Sequence, residues 1–219
     1  MRTLMTRGRV LLVLAAATLT VAAAGAQGSS PWRPSFASPA ALSAWTLDGN
    51  GTWQIQNGLL ALTKAGTPEG PIRRPAALII LKTPSLTNVT VEAQLRCTAA
   101  EDVLRRDMQI VFGYESPTRF YYVHLSGFSD DVHNGVFLVN GADRKRIDGG
   151  KTPPVLKDQQ WHAFRLERNG VSGAIRVFAD GASSPAFDLT DTTIRAGRVG
   201  FGSFDDTGEI RGVVVTERK

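Results

Sequence analysis

Residues 107–147 read DMQIVFGYESPTRFYYVHLSGFSDDVHNGVFLVNGADRKRI, and the opening half of this stretch decides the fold. Two alternating runs, Asp107–Tyr114 and Arg119–Ser126, flank the polar tetrapeptide Glu115-Ser116-Pro117-Thr118. Alternation with period two marks a strand, and a short gap containing Pro marks the turn of a hairpin. Symmetric closure of that four-residue loop sets Tyr114 opposite Arg119. Opposed residues of an antiparallel pair share a face, so this register sorts the side chains. Met108, Ile110 and Phe112 join Leu125, Val123 and Tyr121 on an apolar face. Asp107, Gln109 and Val111 join Ser126, His124 and Tyr122 on the other. A slip of one residue would mix the two sets, so the pattern supports the register. The expectation is a sheet with one side on a core and one wet side open to a ligand.

Outward from the hairpin, the same alternation recurs. Asn88–Thr98 points Val89, Val91, Ala93, Leu95 and Cys97 one way and polar residues the other. Thr52–Gln56 and Leu59–Thr63 flank Asn57-Gly58, a strong two-residue turn signal. Ala77–Lys82, Gly135–Asn140, Gln160–Arg168, Ala174–Ala179, Ala186–Leu189, Arg198–Phe204 and Glu209–Thr216 read as further strands, with Arg144–Ile147 as a short one. Ala99–Arg106 is the one stretch that reads as a helical turn. Many short strands with turn chemistry between them predict an all-β fold, a two-sheet antiparallel sandwich or barrel. No repeat and no change of composition divides it.

The N-terminus reads differently. Arg2, Arg7 and Arg9 precede an apolar run, Val10–Ala24, and Ala24-Gly25-Ala26 fits a cleavage site. Residues 1–26 are therefore expected to be a secretory signal peptide, which predicts a secreted or periplasmic protein. The apolar run is short for a membrane span, and no later segment is apolar enough for one. Residues 27–39 read as a flexible lead-in whose end Phe36 pins to a domain over 40–219. Loss of the leader's three arginines leaves 22 basic against 20 acidic residues, so the high pI says little about nucleic acid, which is not an expected partner. Arg105-Arg106 and Arg144-Lys145-Arg146 read as solvated charge runs. Cys97 is the only cysteine, which excludes an internal disulfide and suits a small buried hydrophobe.

The segments Trp161-His162-Ala163-Phe164-Arg165-Leu166, Ile175-Arg176-Val177-Phe178-Ala179-Asp180-Gly181 and Gly197-Arg198-Val199-Gly200-Phe201-Gly202 resemble the concanavalin A-like lectin/glucanase superfamily, including laminin G-like modules. That resemblance implies a jelly-roll sandwich whose concave sheet meets sugar chains. Within the superfamily, Trp45…Gly51-Thr52-Trp53-Gln54-Ile55-Gln56-Asn57-Gly58-Leu59-Leu60 resembles the opening of the 3-keto-disaccharide hydrolase domain. Asn134-Gly135-Val136-Phe137 echoes the N-S-G-V-F segment of that domain, but His133 precedes Asn134 and no Ser intervenes. The E-x-D-x-x-E motif of family 16 glucanases is absent, as are the signatures of seryl hydrolases, P-loop proteins and zinc proteases.

On the polar hairpin face, His124 and Asp107 are the candidates for acid–base catalysis. Gln109, Tyr122 and Ser126 supply the planar amide, ring and hydroxyl that sugars engage. The loop Ser129-Asp130-Asp131-Val132-His133-Asn134 adds Asp131, His133 and Asn134, and Arg144, with Asp143, is placed to clamp an acidic sugar. Asp205-Asp206-Thr207-Gly208-Glu209 resembles the rim turns that hold structural calcium in this superfamily, which makes Asp205 and Asp206 candidate metal ligands. Asp48 and Asn50 are weaker candidates of the same kind, and His162 reads as a packing residue beside Trp161. Three functions follow from these residues: a carbohydrate-binding module, an enzyme acting on a modified (3-keto) glycoside, or a laminin G-like protein-interaction module.

Overall fold

The computed structural model describes residues 30–150 and 152–219, so the expected signal peptide lies outside the described residues. A short 3-10 segment, Pro39–Ala44, leads into the first strand. Among the described residues the strands are β1 (Trp45–Gly49), β2 (Thr52–Gln56), β3 (Leu59–Lys64), β4 (Ala77–Leu81), β5 (Asn88–Cys97), β6 (Asp107–Ser116), β7 (Arg119–Ser126), β8 (Gly135–Asn140), β9 (Lys145–Arg146), β10 (His162–Asn169), β11 (Ala174–Ala179), β12 (Phe187–Thr190), β13 (Arg198–Ser203) and β14 (Gly208–Glu217). They form two seven-stranded antiparallel sheets, ordered β1-β4-β13-β6-β7-β8-β9 at the front and β12-β11-β10-β5-β14-β3-β2 at the back. This is the expected all-β jelly-roll sandwich.

The inward residues of both sheets interdigitate in one core, where Val91, Leu95 and Leu166 of the back sheet meet Ile110, Tyr121 and Val123 of the front. On β5 every second side chain, from Val89 to Cys97, is buried while Glu92 opposite is exposed, as its alternation requires. The lead-in reaches the domain before Phe36. Trp32 forms an isolated antiparallel bridge with Val215, and Phe36 is buried against Trp45 with ring centroids 6.4 Å apart.

The β6–β7 ladder has the expected register over most of its length, from Asp107 opposite Ser126 to Phe112 opposite Tyr121. Its closure differs. The pairing shifts after Phe112, Ser116 rather than Tyr114 faces Arg119, and the turn shrinks to Pro117-Thr118. Gly113 makes the bulge possible, because it adopts φ +58°, where a Cβ is strained. Tyr114, released from Arg119, pairs with Arg198 on β13 and donates its hydroxyl to Asp48 Oδ2 at 3.0 Å.

The second face of the hairpin is not wet. Asp107, Gln109 and His124 expose 1%, 0% and 2% of their surface. The reason is aromatic content: Tyr114, Phe120, Tyr122 and Phe137 gather with Leu78, Ile80, Val111 and Val139 into a second apolar cluster outside the front sheet, roofed by Ile72 and Phe204. Burying that area stabilises the fold at roughly 25 cal/mol per Å², so loops close over the face rather than leave it to solvent. The solvated face belongs to the back sheet instead.

Three smaller expectations also change. Ala99–Arg106 forms turns, not a helix, and Arg106 is buried with its Nη2 donating to Ala100 O at 2.6 Å. Asp48 and Asn50 have protein partners, Asp48 accepting from both terminal nitrogens of Arg74 and Asn50 bonding Thr67 and Glu69. His162 does more than pack: its Nδ1 lies 2.8 Å from Asp180 Oδ2 and its Nε2 3.0 Å from Asp158 Oδ1. Burial alone would lower its pKa, but the bonds to Asp180 and then Asp158 outweigh it and raise the value. Both nitrogens face acceptors, so the imidazolium is the form the fold selects. A raised folded pKa means the contribution is fully present below the unfolded value of about 6.5 and lost as pH rises through the folded one. Thermal melts across that window should show wild-type stability falling with pH more steeply than that of His162→Gln; parallel curves would disprove the assignment.

Candidate functional site

Asp107 opens β6 and is the hub of the buried polar cluster. Its Oδ1 accepts from Ser203 Oγ at 2.9 Å, and its Oδ2 accepts from Gln109 Nε2 at 2.9 Å and from the Phe204 N–H at 3.3 Å. His124 Nε2 stands 3.2 Å from the same Oδ2 without an aligned hydrogen bond, and it has no other partner. Burial would raise the Asp107 pKa. Attraction to His124 and the converging hydrogen bonds outweigh burial, so the carboxyl stays below its usual range and ionised. Asp107 and His124 meet because β6 and β7 place Gln109 opposite His124, and Asp107 follows two pairs further on, on the same face of the sheet.

Two more carboxylates lie at this end of the sheet, on the turn after β13. Asp206 Oδ2 accepts the Asp107 main-chain N–H at 2.8 Å. One oxygen from each of Asp107, Asp205 and Asp206 falls within 4.8 Å of the others. Burial and then repulsion from Asp107 raise both turn carboxyls, Asp206 to about 7. Gln109 Oε1, sealed beside them, has no hydrogen-bond partner.

Above the cluster sits the 129–134 loop. Asp130 Oδ1 accepts the N–H groups of Val132 and His133 and the His133 ring Nδ1, each at 2.8 Å. Despite partial burial, these bonds hold the Asp130 carboxyl low. For His133 the balance is opposite: burial, joined by repulsion from His124 and Arg144, outweighs the Asp130 bond and lowers the pKa. His133 is therefore a neutral imidazole near pH 7, its Nδ1 proton on Asp130 and its ring centroid 5.4 Å from that of His124.

The loop is built rather than floppy. Asn134, at φ +52°, accepts the Ser126 N–H and donates to the carbonyls of Thr152 and Pro153 at 2.9 and 3.0 Å. Arg146 on β9 donates to the carbonyls of Asp130, His133, Asn134 and Gly150 and pairs with Asp148. Residue 135 must be Gly for this, since a Cβ there would lie 2.7 Å from the Arg146 guanidinium carbon. Arg144, two residues earlier, is half-buried and lies over the rings of Phe204 and Phe137, 4.2 and 5.0 Å from their centroids. Its Nη1 donates to Tyr122 Oη at 3.0 Å and approaches His124 Nδ1 at 3.4 Å.

The structure thus gathers Asp107, Gln109, Tyr122, His124, His133, Arg144, Asp205 and Asp206. Ser126 is buried and ties loops, its Oγ accepting the Phe128 N–H, and Asn134 likewise serves the scaffold. Asp131 stands exposed at the loop apex. Asp143 does not join Arg144, because its Oδ1 accepts the Arg73 N–H at 2.7 Å. Phe204, Phe137 and Arg146 went unrecognised in the sequence, and Asp130 stood out only as part of the polar 129–134 loop. The signal for Arg146 was present: alternation along a short strand puts residues 144 and 146 on one side, which a solvated charge run does not require.

With this geometry in view, solved structures give a consistent picture of the fold. The carbohydrate-binding module CBM66 from Bacillus subtilis superposes with a TM-score of 0.60 at 17% identity, covering 80% of this chain and 96% of that one. The carbohydrate recognition domain of Emp46p gives 0.55 at 16% identity, over 80% and 89% of the two chains. The exoplasmic/lumenal domain of VIP36, in a form bound to Ca2+ and Man3GlcNAc, gives 0.54 at 10% identity, over 81% and 84%. The chain has the concanavalin A-like jelly-roll fold. No family model and no curated protein sequence matches it.

Removing the hub should be costly. Asp107→Ala leaves His124, Gln109, Ser203 and the Phe204 N–H without their buried acceptor, and urea unfolding should show a loss of about 3 kcal/mol or more. A loss below about 1 kcal/mol would mean that the cluster contributes little to the fold.

Proposed function

We propose that this protein is an exported carbohydrate-binding domain whose sugar site is the rim above β6 and β7. The observation that supports it best is the juxtaposition of a braced, half-buried His133, the Arg144 guanidinium, the Phe204 ring and the Asp205 carboxylate at one edge of the covered sheet. Planar polar groups beside a partly exposed ring suit the hydroxyls and apolar face of a pyranose. The sealed Asp107, Gln109 and His124 act beneath this rim as its support, not as contacts. The carbohydrate-binding and lectin domains that share the fold lend the reading support.

Asp107, Asp205 and Asp206 would hold a structural calcium. Hard carboxylate oxygens are its preferred ligands, and the mutual repulsion that raises Asp206, with the unpartnered Gln109 oxygen alongside, fits a cation there. Calcium would neutralise the turn and fix Phe204 and Asp205 at the rim. At a hundredfold excess of CaCl2 over Kd the melting temperature should rise by about 5 °C, EGTA should reverse the rise, and Asp206→Asn should abolish it. No shift in the wild type would remove the metal from the proposal.

Binding itself is tested on a glycan array and by titration of its hits. His133→Ala and Arg144→Ala should each weaken binding at least about tenfold in domains that circular dichroism shows to be folded. Unchanged binding in both variants would place the sugar elsewhere. The second reading, an enzyme on a 3-keto glycoside, is favoured by one observation: Asp130 holds the His133 proton on Nδ1 and leaves Nε2 as a base. Turnover abolished by His133→Gln with sugar affinity retained would establish that reading.

A further inference from the structure

We infer that the sugar this site receives is acidic, and that the Nε–Nη2 edge of Arg144 takes its uronate carboxylate as a bidentate pair. The inference rests on the rim being a glycan site and adds the class of glycan. Arg144 and Arg146 lie two residues apart and point to the same side of the sheet, yet they are used oppositely. Arg146 is saturated: Nε and Nη2 meet Asp148, and the remaining donors meet main-chain carbonyls. Arg144 spends only Nη1, on Tyr122 Oη and toward His124 Nδ1. Among the described residues its Nε and Nη2 make no hydrogen bond and no carboxylate lies within ion-pairing distance, and neither nitrogen is among the sealed unpaired atoms.

Those two nitrogens carry the parallel N–H pair that matches a carboxylate. A sugar hydroxyl would use one of them and leave the other to water. The guanidinium is also held in advance, its Cζ 4.2 Å from the Phe204 ring centroid and its Nη1 bonded to Tyr122 Oη, so little side-chain entropy remains to be lost on binding. A second cation stands next to it: Arg73, whose carbonyl accepts the Arg144 N–H at 3.0 Å, has an exposed side chain with no ion pair among the described residues. The acidic residue nearest in sequence, Asp143, is turned away onto the Arg73 N–H. The carboxylates opposing an acidic ligand are Asp130, which is already bonded to His133 and two main-chain N–H groups, and Asp205, Asp206 and Asp107, the trio that a calcium ion would neutralise.

The test uses matched pairs that differ only in charge: trigalacturonate, triglucuronate and trimannuronate, each against its methyl ester, titrated calorimetrically into the full domain in 5 mM CaCl2 and again in EGTA. At least one acid should bind tenfold or more tighter than its ester. Raising NaCl from 0.05 to 0.5 M should erode that preference, and Arg144→Lys, which keeps the charge but loses the fork, should reduce it at least fivefold. Acid and ester bound alike in both buffers, or a preference untouched by Arg144→Lys and Arg144→Met, would overturn the inference while leaving a glycan site in place. Absence of binding by every acid and every ester, with an empty glycan array, would overturn the glycan reading and this inference together. Circular dichroism and melting of both variants verify that they are folded.

Discussion

The structure depends on one ladder being covered on both sides. β6 and β7 pair antiparallel with six consecutive partners in register, and their inward side chains fill the space between the sheets. Their outward side chains, which in most antiparallel sheets would meet water, lie under loops. That arrangement makes a buried carboxylate unavoidable at residue 107, and the surroundings are built to answer it. A serine hydroxyl, a side-chain amide, a main-chain N–H and an imidazole all approach the same group. A charge in low dielectric persists only when so supplied with partners, so the loops carrying those partners are fixed relative to the sheet.

From this follows a division between scaffold and surface. The lower tier, Asp107, Gln109, Tyr122 and His124, is closed to solvent and sets positions. The upper tier, His133, Arg144, Phe204 and Asp205, keeps part of its surface open to solvent. Arg146 joins the tiers, since one guanidinium holds the carbonyls of the 130–134 loop against β8 and β9. The Asp130–His133 pair is therefore tied to the strands through main-chain hydrogen bonds. Burial keeps the His133 imidazole neutral near pH 7, so Arg144 carries the charge of the upper tier's two basic side chains.

The alternation of β5, β6 and β7 was legible because each residue's parity is a local property of the strand, and the predicted Asp107–Ser126 and Gln109–His124 pairings were met. The fold class followed from the same signal repeated. What parity cannot report is the third layer. Val111 and Tyr122 share a face with Asp107 and His124, and whether such a mixed face is hydrated depends on Phe204 and Ile72, which arrive from distant segments. The hairpin closure failed for a local reason of another kind, because Gly113 admits a backbone conformation that a symmetric loop does not need. Arg106 and Arg146 were misjudged because charge was read without asking which carbonyls turns would present to it. The candidate metal pair at 205 and 206 was visible as composition, whereas the third carboxylate, about a hundred residues away, needed the sheet.

β9 ends the front sheet with two residues, Lys145 and Arg146, paired only to β8. A lateral strand that is short and cationic offers an incoming chain almost no free main-chain donors and sets a like charge against its own copy. Edge-to-edge association of one molecule with another is disfavoured at that boundary. One two-residue strand thus serves twice: Lys145 faces solvent at the edge, while Arg146, neutralised by Asp148, turns to the carbonyls of the 130–134 loop.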